Sequence, residues 1–446
     1  MKKNFLSKYF PLLLMLLVVA ACEPKVDEFK ATPGSADFSK YVSLGNSLTA
    51  GYADGALYTS GQSYSYANII AGQLAYAGGG DFVQPVVTNE DGLLAGKMKL
   101  GIATNCLGVS SLGPVPAGGS PTGLPGAVTP VGYAVNNFGV PGAKSYHLVA
   151  PGFGDPAGLF TVPQTANPYF VRFASSATTS VVADAMAANP TFFSLWIGNN
   201  DVLVYSTSGG AGDVITSQDL FTGALNGIIN TMTAGGAKGV VANIPDVTSI
   251  PFFNTIPYNG LVLTEQAQVD ALNQAYGSGL LGISFQLGQN PFVIADATSP
   301  NGVGIRQLKA GELVLLTLPQ DSIRCGGWGS QKPIPGFYIL DEAEVGAVKA
   351  ATSGFNNTLK SLAESKGLAF VDANAFMAEA KSGLVYDGMK FSVTYVTGGI
   401  FSLDGVHLTP RGNAIVANHF IEAINEKYGA TIPLVNVGDY PGIVFP

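Results

Sequence analysis

Charge is scarce in this chain. Of its 446 residues only 12% are Asp, Glu, Lys or Arg, about half the usual share of roughly 25%. Disorder needs the opposite balance, much charge and little apolar surface, so a disordered chain is excluded. Basic runs are missing after residue 30, and the formal net charge is −8. Nucleic-acid binding lacks its electrostatic footprint, and no nucleic-acid partner is expected. Histidine numbers three and cysteine three. Cys106 and Cys325 lie far apart without a pair of histidines beside them, which is not the pattern of a zinc site. Gly142 is followed by Ala143 and Lys144 without the spacing of a phosphate-binding loop. Neither a metal nor a cofactor is expected.

Apolar residues are plentiful at 47%, with 57 Gly and 27 Pro. That is enough for a large core with long ordered loops. The length admits two or three domains at about 150 residues each, and equally one elaborated α/β domain. The first segment reads as an export signal. Lys2, Lys3 and Lys8 form a basic start, and Pro11 to Ala20 an apolar stretch short for a membrane span. Val19-Ala20-Ala21-Cys22 follows. Small residues directly before a Cys resemble a bacterial lipobox. The resemblance implies cleavage after residue 21, lipidation of Cys22, a membrane partner through that lipid, and a place in the cell envelope as an outer-membrane lipoprotein. Residues 22–38 read as a polar tether. Cys106 and Cys325 then remain, and in an oxidising compartment they either pair across two loops or stay as buried thiols.

No internal repeat is present. Strand and helix signals alternate instead. Tyr41-Val42-Ser43-Leu44 is a short strand stopped by Gly45, and a helix is expected over Tyr64 to Ala77. Further strands are expected over Val131 to Phe138, Thr191 to Ile197, Gly239 to Ile244 and Leu368 to Asp372. Helices are expected over Thr178 to Ala188, Ser217 to Ala234, Asp341 to Lys366 and Asn413 to Tyr428. Two stretches, near 78–130 and 248–335, are too long for plain connections and read as insertions, the second with a β-like run at Glu312 to Leu318. Residues 431–446 read as a tail. Such alternation implies βαβ units and a mainly parallel sheet. Active sites in open sheets of this kind lie beyond the carboxyl ends of strands. Asn46 and Ser47, Asn137 to Gly142, and Asn199 to Asp201 therefore fall on one rim.

Ser47 follows a strand inside a Gly-bounded turn, where a serine serves as a helix cap or as an exposed hydroxyl. A nucleophilic hydroxyl needs a base. His407 carries an Asp three residues before it, Asp404, and that spacing in a turn brings a carboxylate to one imidazole nitrogen. Acyl transfer also needs donors for the developing oxyanion. An Asn in Trp196-Ile197-Gly198-Asn199-Asn200-Asp201 can supply a side-chain N–H. A glycine in Asn137-Phe138-Gly139-Val140-Pro141-Gly142 can bring a backbone N–H close. Turn chemistry alone also favours Asn and Gly at both places.

In order, the chain reads Gly-Asn-Ser-Leu, Asn-x-Gly-x-x-Gly, Gly-x-Asn-Asp and Asp-x-x-His. This resembles the SGNH hydrolases, the GDSL-like esterases and lipases, over about Ser43 to Asn425 with the two insertions outside the shared pattern. The resemblance implies an α/β fold, a three-layer α/β/α sandwich with a mainly parallel, flavodoxin-like sheet, within 39–430. It implies Ser47 as nucleophile, His407 as general base and Asp404 as its orienting partner. The oxyanion hole it implies uses the Ser47 N–H, the Gly142 N–H and the Asn200 side chain, with Gly139 as the other choice for the middle donor. Asn46 stands where the family name has Asp, and is expected to support the turn equally well. Asp201 and Asp372 are expected to be structural. His147 is placed at the site rim or in packing, and His419 on the closing helix.

The expected activity is hydrolysis of carboxylic esters, of acylated glycans or of lipids. The other readings are a non-catalytic ligand-binding lipoprotein on the same scaffold, and an acyltransferase using the same acyl-enzyme.

Overall fold

The computed structural model describes residues 29–124 and 126–446. The signal segment, Cys22 and the first part of the tether lie outside the described residues. Five strands form the central sheet: β1 Tyr41–Gly45, β2 Asn137–Gly139, β3 Phe192–Trp196, β4 Lys238–Ala242 and β5 Ala369–Val371. Their spatial order is β2-β1-β3-β4-β5 and every pairing is parallel. β1 and β3 are buried along their whole length, which is why both read as unbroken apolar runs.

Alternate residues of each strand serve opposite faces. Val42, Leu44, Phe193, Leu195 and Val241 pack on one side. Tyr41, Phe192, Trp196, Val240 and Ala242 pack on the other. Helices cover both. A short helix α1 (Ser47–Ala50) leaves β1, and α2 (Tyr66–Leu74) lies on the Trp196 face. α3 (Val181–Ala187), α5 (Gln218–Thr233) and α6 (Glu342–Ser365) lie on the Phe193 face, where Phe221 stacks on Phe355 at 4.0 Å. α4 (Asn200–Thr207) follows β3 directly, and α7 (Ala373–Ser382) follows β5. The closing helix α8 (Pro410–Tyr428) returns to the Trp196 face. Ser65, Ser180, Ser217 and Thr409 cap their helices through side-chain oxygens, and Asp341 forms a capping box with Glu344. This is the flavodoxin-like order, and its switch point lies between β1 and β3.

Five expectations need correction. β2 is only Asn137–Gly139, because Val131 N donates to Arg172 O and Asn136 N to Val83 O instead of to a strand. In Glu312 to Leu318 only Leu313–Val314 pairs, with Ile339–Leu340, before the chain turns at Leu318. α8 begins at Pro410, where a proline fits the first helical position. The end of the presumed tether is not loose: Ser35 N donates to Tyr428 O, and Phe38 is buried edge-on to Phe192 at 4.9 Å. The tail is docked as well, with Ile432 and Val437 buried and Val435 N held by Asn418.

The first insertion carries a hairpin, Met98–Thr104 against Ser110–Pro116. The second holds two small apolar clusters, one around Val269, Leu272 and Phe285 and one around Phe292, Val314 and Ile334. Cys106 at the hairpin tip and Cys325 in the second insertion form a disulfide across 219 residues. Among the described residues no helix is long and apolar enough to cross a membrane. The disulfide ties one insertion to the other and not to the sheet. Cys106→Ser is therefore expected to speed amide exchange in the hairpin and around Gln320–Arg324 while β1, β3 and β4 stay protected. Exchange mass spectrometry checks this, and an equal loss of protection in the central strands would contradict it.

Candidate active site

Gly45 lets the chain turn sharply out of β1. A Cβ there would lie 2.1 Å from Thr49 Oγ1 and 2.5 Å from Trp196 O. Asn46, almost fully buried, caps α1 by accepting from Leu48 N at 3.0 Å. This is the support expected of it. Ser47 is the first residue of α1, so its own N–H has no intrahelical partner.

The turn before α8 brings the distant residues in. His407 Nε2 lies 2.8 Å from Ser47 Oγ, and His407 Nδ1 lies 2.8 Å from Asp404 Oδ2. A carboxylate only accepts, so Nδ1 carries the hydrogen and Nε2 faces the serine as acceptor. Asp404 also accepts from Gly55 N, Ser402 Oγ, Val406 N and His407 N. Burial alone would push this carboxyl up, but His407 and the surrounding donors outweigh it and hold it well below the usual range.

Three contributors were not read from the sequence. The Tyr52 ring lies 4.7 Å from the His407 ring. Asp54 accepts from Leu403 N at 2.9 Å and from Tyr58 OH at 2.7 Å, while its N–H donates to Ser402 Oγ. Gly55 reaches Asp404 directly. Asp54 and Gly55 both have positive φ, so Asp-Gly here was a legible turn signal, although its partner was not.

The second and third rim segments sit on either side of β1. Val140 N donates to Gly45 O at 3.0 Å, which fixes the turn after β2. The two glycines of that turn differ. A Cβ on Gly139 would lie 2.3 Å from Ala50 N, so its bareness serves packing. Gly142 has φ +79° and open space around it, with Asn167 Nδ2 the nearest atom at 3.9 Å. Asn200 is buried and donates one N–H to Ala143 O at 2.9 Å, leaving its second N–H free. Asp201 accepts from Ser145 N and Oγ, and Asp372 caps α7 and accepts from Asn243. Both are structural.

An apolar pocket opens beside Ser47 and His407. Asn199 and Asn200 line it, with walls from Trp196, Leu203, Ile250, Phe376, Met377 and Val416. Gly142 is not among its lining residues, and neither is His147. His147 stacks on Phe153 at 4.5 Å and accepts from Lys144 N, so it is packed and does not form the rim. His419 bonds Tyr386 OH and lies against Phe376. Among the described residues no group of three potential metal ligands occurs.

The model of the GDSL-like Lipase/Acylhydrolase family matches residues 41–420, and the chain belongs to that family of hydrolases. Two solved structures are similar: a GDSL-like lipase candidate from Parabacteroides merdae ATCC 43184 and LAE5, an alpha/beta hydrolase from the metagenome of Lake Arreo, Spain. The first is 12% identical, covering 88% of this chain and 99% of its own, with a TM-score of 0.35. The second is 10% identical, covering 87% and 96%, with a TM-score of 0.34. No curated protein matches the chain.

His147 gives a pH signature. Burial foremost, then the Lys144 charge, lower it from 6.5 to about 4. Between those values the unfolded chain binds the extra proton, so this contribution is complete above pH 6.5 and is lost as pH falls toward 4. Full linkage would be worth about 3 kcal/mol, and partial solvent access screens it to ~1–2 kcal/mol. Urea unfolding at pH 7 and pH 4.5 should show wild type losing that much more stability than His147→Gln. Equal losses would refute the assignment.

Proposed function

We propose that the protein is a serine esterase that cleaves carboxylic esters through an acyl-enzyme. The observation that carries this reading is the unbroken chain Ser47 Oγ–His407–Asp404, with both links at 2.8 Å. His407 Nε2 takes the Ser47 proton as Oγ bonds to the ester carbonyl carbon. The carbonyl π electrons move to oxygen, where the Ser47 N–H, the Gly142 N–H and the free Asn200 N–H receive the charge. The C–O bond to the alcohol then breaks, and His407 returns the proton to the departing alcohol. Water repeats the sequence on the acyl-enzyme and releases the acid. Asp404 holds the ring and stabilises it when charged.

Hydrolysis of p-nitrophenyl acetate and octanoate tests the reading. Ser47→Ala should lower kcat by about 10³-fold or more, Asp404→Asn by about 10⁴-fold, and Asn200→Ala by about 10²–10³-fold. Equal rates from wild type and Ser47→Ala would sink the esterase reading.

We further propose that the protein is a lipoprotein of the cell envelope, held by a lipid on Cys22. The small residues before Cys22 and the Cys106–Cys325 disulfide, a bond of oxidising compartments, support this placement. Cells fed labelled palmitate should label the wild-type protein and not Cys22→Ala, and the variant should leave the membrane fraction. Undiminished labelling of the variant would reject the anchor.

A further inference from the structure

The pocket beside Ser47 has a hydrocarbon wall and few polar atoms, and most of those are already used. Trp196 Nε1 donates to Asn243 O at 3.0 Å. Asn46 is occupied in capping α1. Asn200 is tied to Ala143 O. Asn199 is the exception. It is 5% exposed, and its Oδ1 is one of only two buried side-chain atoms among the described residues without a hydrogen-bond partner. It precedes α4 with helical backbone angles, φ −55° and ψ −46°, so its side chain makes no capping bond. Asn199 is one of the residues lining the pocket that Ser47 and His407 border. Leaving a buried amide unpaired is costly, and a ligand group that pairs with it removes that cost.

We propose that this pocket receives the acyl chain of the ester, and that Asn199 reads a hydroxyl carried on that chain near its carboxyl end. The inference rests on the esterase reading above and names the acyl class: a medium-length hydroxyalkanoyl group. The walls of Leu203, Ile250, Phe376, Met377 and Val416 suit an aliphatic chain. A sugar in their place would leave several hydroxyls unpaired. A single hydroxyl is different, because it both donates and accepts and so meets either end of an amide. Its position follows from the chain. Asn199 and Asn200 line the same pocket beside Ser47, and the free N–H of Asn200 is assigned to the carbonyl oxygen, so the hydroxyl sits near the carboxyl end of the chain.

The test uses p-nitrophenyl esters of acetate, octanoate, 2-hydroxyoctanoate and 3-hydroxyoctanoate with full-length protein. Wild type should show kcat/KM about 10-fold or more higher for one of the hydroxy esters than for octanoate. Asn199→Leu should bring that ratio to about one or below. Met377→Trp, which fills the pocket, should lower the octanoate-to-acetate ratio about 10-fold or more, and Met377→Ala should shift the best chain length upward. Circular dichroism identifies a variant that has not folded, in which case the other Met377 variant decides. Wild type without a hydroxy-ester preference, or Asn199→Leu that keeps it, overturns the role of Asn199. Chain-length ratios unmoved by the folded Met377 variants overturn the acyl site. Ser47→Ala separates the two levels. If it abolishes hydrolysis of every ester while the preference is absent, only this inference fails. If it leaves hydrolysis intact, the esterase reading fails first.

Discussion

One buried carboxylate joins the two ends of this chain. Asp404 accepts from Gly55 N, which lies 349 residues away, and from Ser402, Val406 and His407 around it. A charge out of water is tolerated only when it is fully paired. The loop after α1 therefore has to close on the turn before α8, and Asp54 reinforces that closure by binding Leu403 N. Imidazole orientation, and with it the approach to Ser47, follows from this closure. The sheet supplies the platform: the switch point of its strand order places the ends of β1 and β3 side by side.

The parts of the site that were legible are those whose chemistry is local. Ser47 after Gly45, Asp404 three residues from His407, and the Asn-rich end of β3 each carry their signal within a few residues. The central strands were legible because double burial writes a continuous apolar run. Tyr52 and Asp54 were not, because the partners that tie them to the site lie some 350 residues away, and the Asp-Gly signal at 54–55 names a turn and not those partners. β2 was read too long for a similar reason: residues 131–135 are mostly apolar, but Val131 N donates to Arg172 O and Asn136 N to Val83 O, and only Asn136 O reaches β1, at Ser43 N. The pocket was invisible since its wall is assembled from β3, α4, α7, α8 and the segment near Ile250. In the insertions the hairpin strands Met98–Thr104 and Ser110–Pro116 are largely exposed, and the helix Gln266–Ala275 buries only Val269 and Leu272, so both carry a weak apolar period.

Polar satisfaction divides the site into two halves. Around Asp404 every oxygen has donors, which makes that half rigid. Across Ser47, the pocket offers hydrocarbon and one unpaired amide on Asn199. Among the described residues Thr216 Oγ1 is the other unpaired buried side-chain polar atom, and it does not line this pocket.

The docking of Ser35 and Phe38 sets a direction. Ser35 is bonded to Tyr428, whose hydroxyl meets Gly239 and Ala369 at the starts of β4 and β5. The chain thus enters at the amino ends of the strands, while Ser47 stands at their carboxyl ends. Five residues of β1 separate the two levels by roughly 17 Å. In the anchored form proposed here, the tether would join the sheet at the end opposite Ser47.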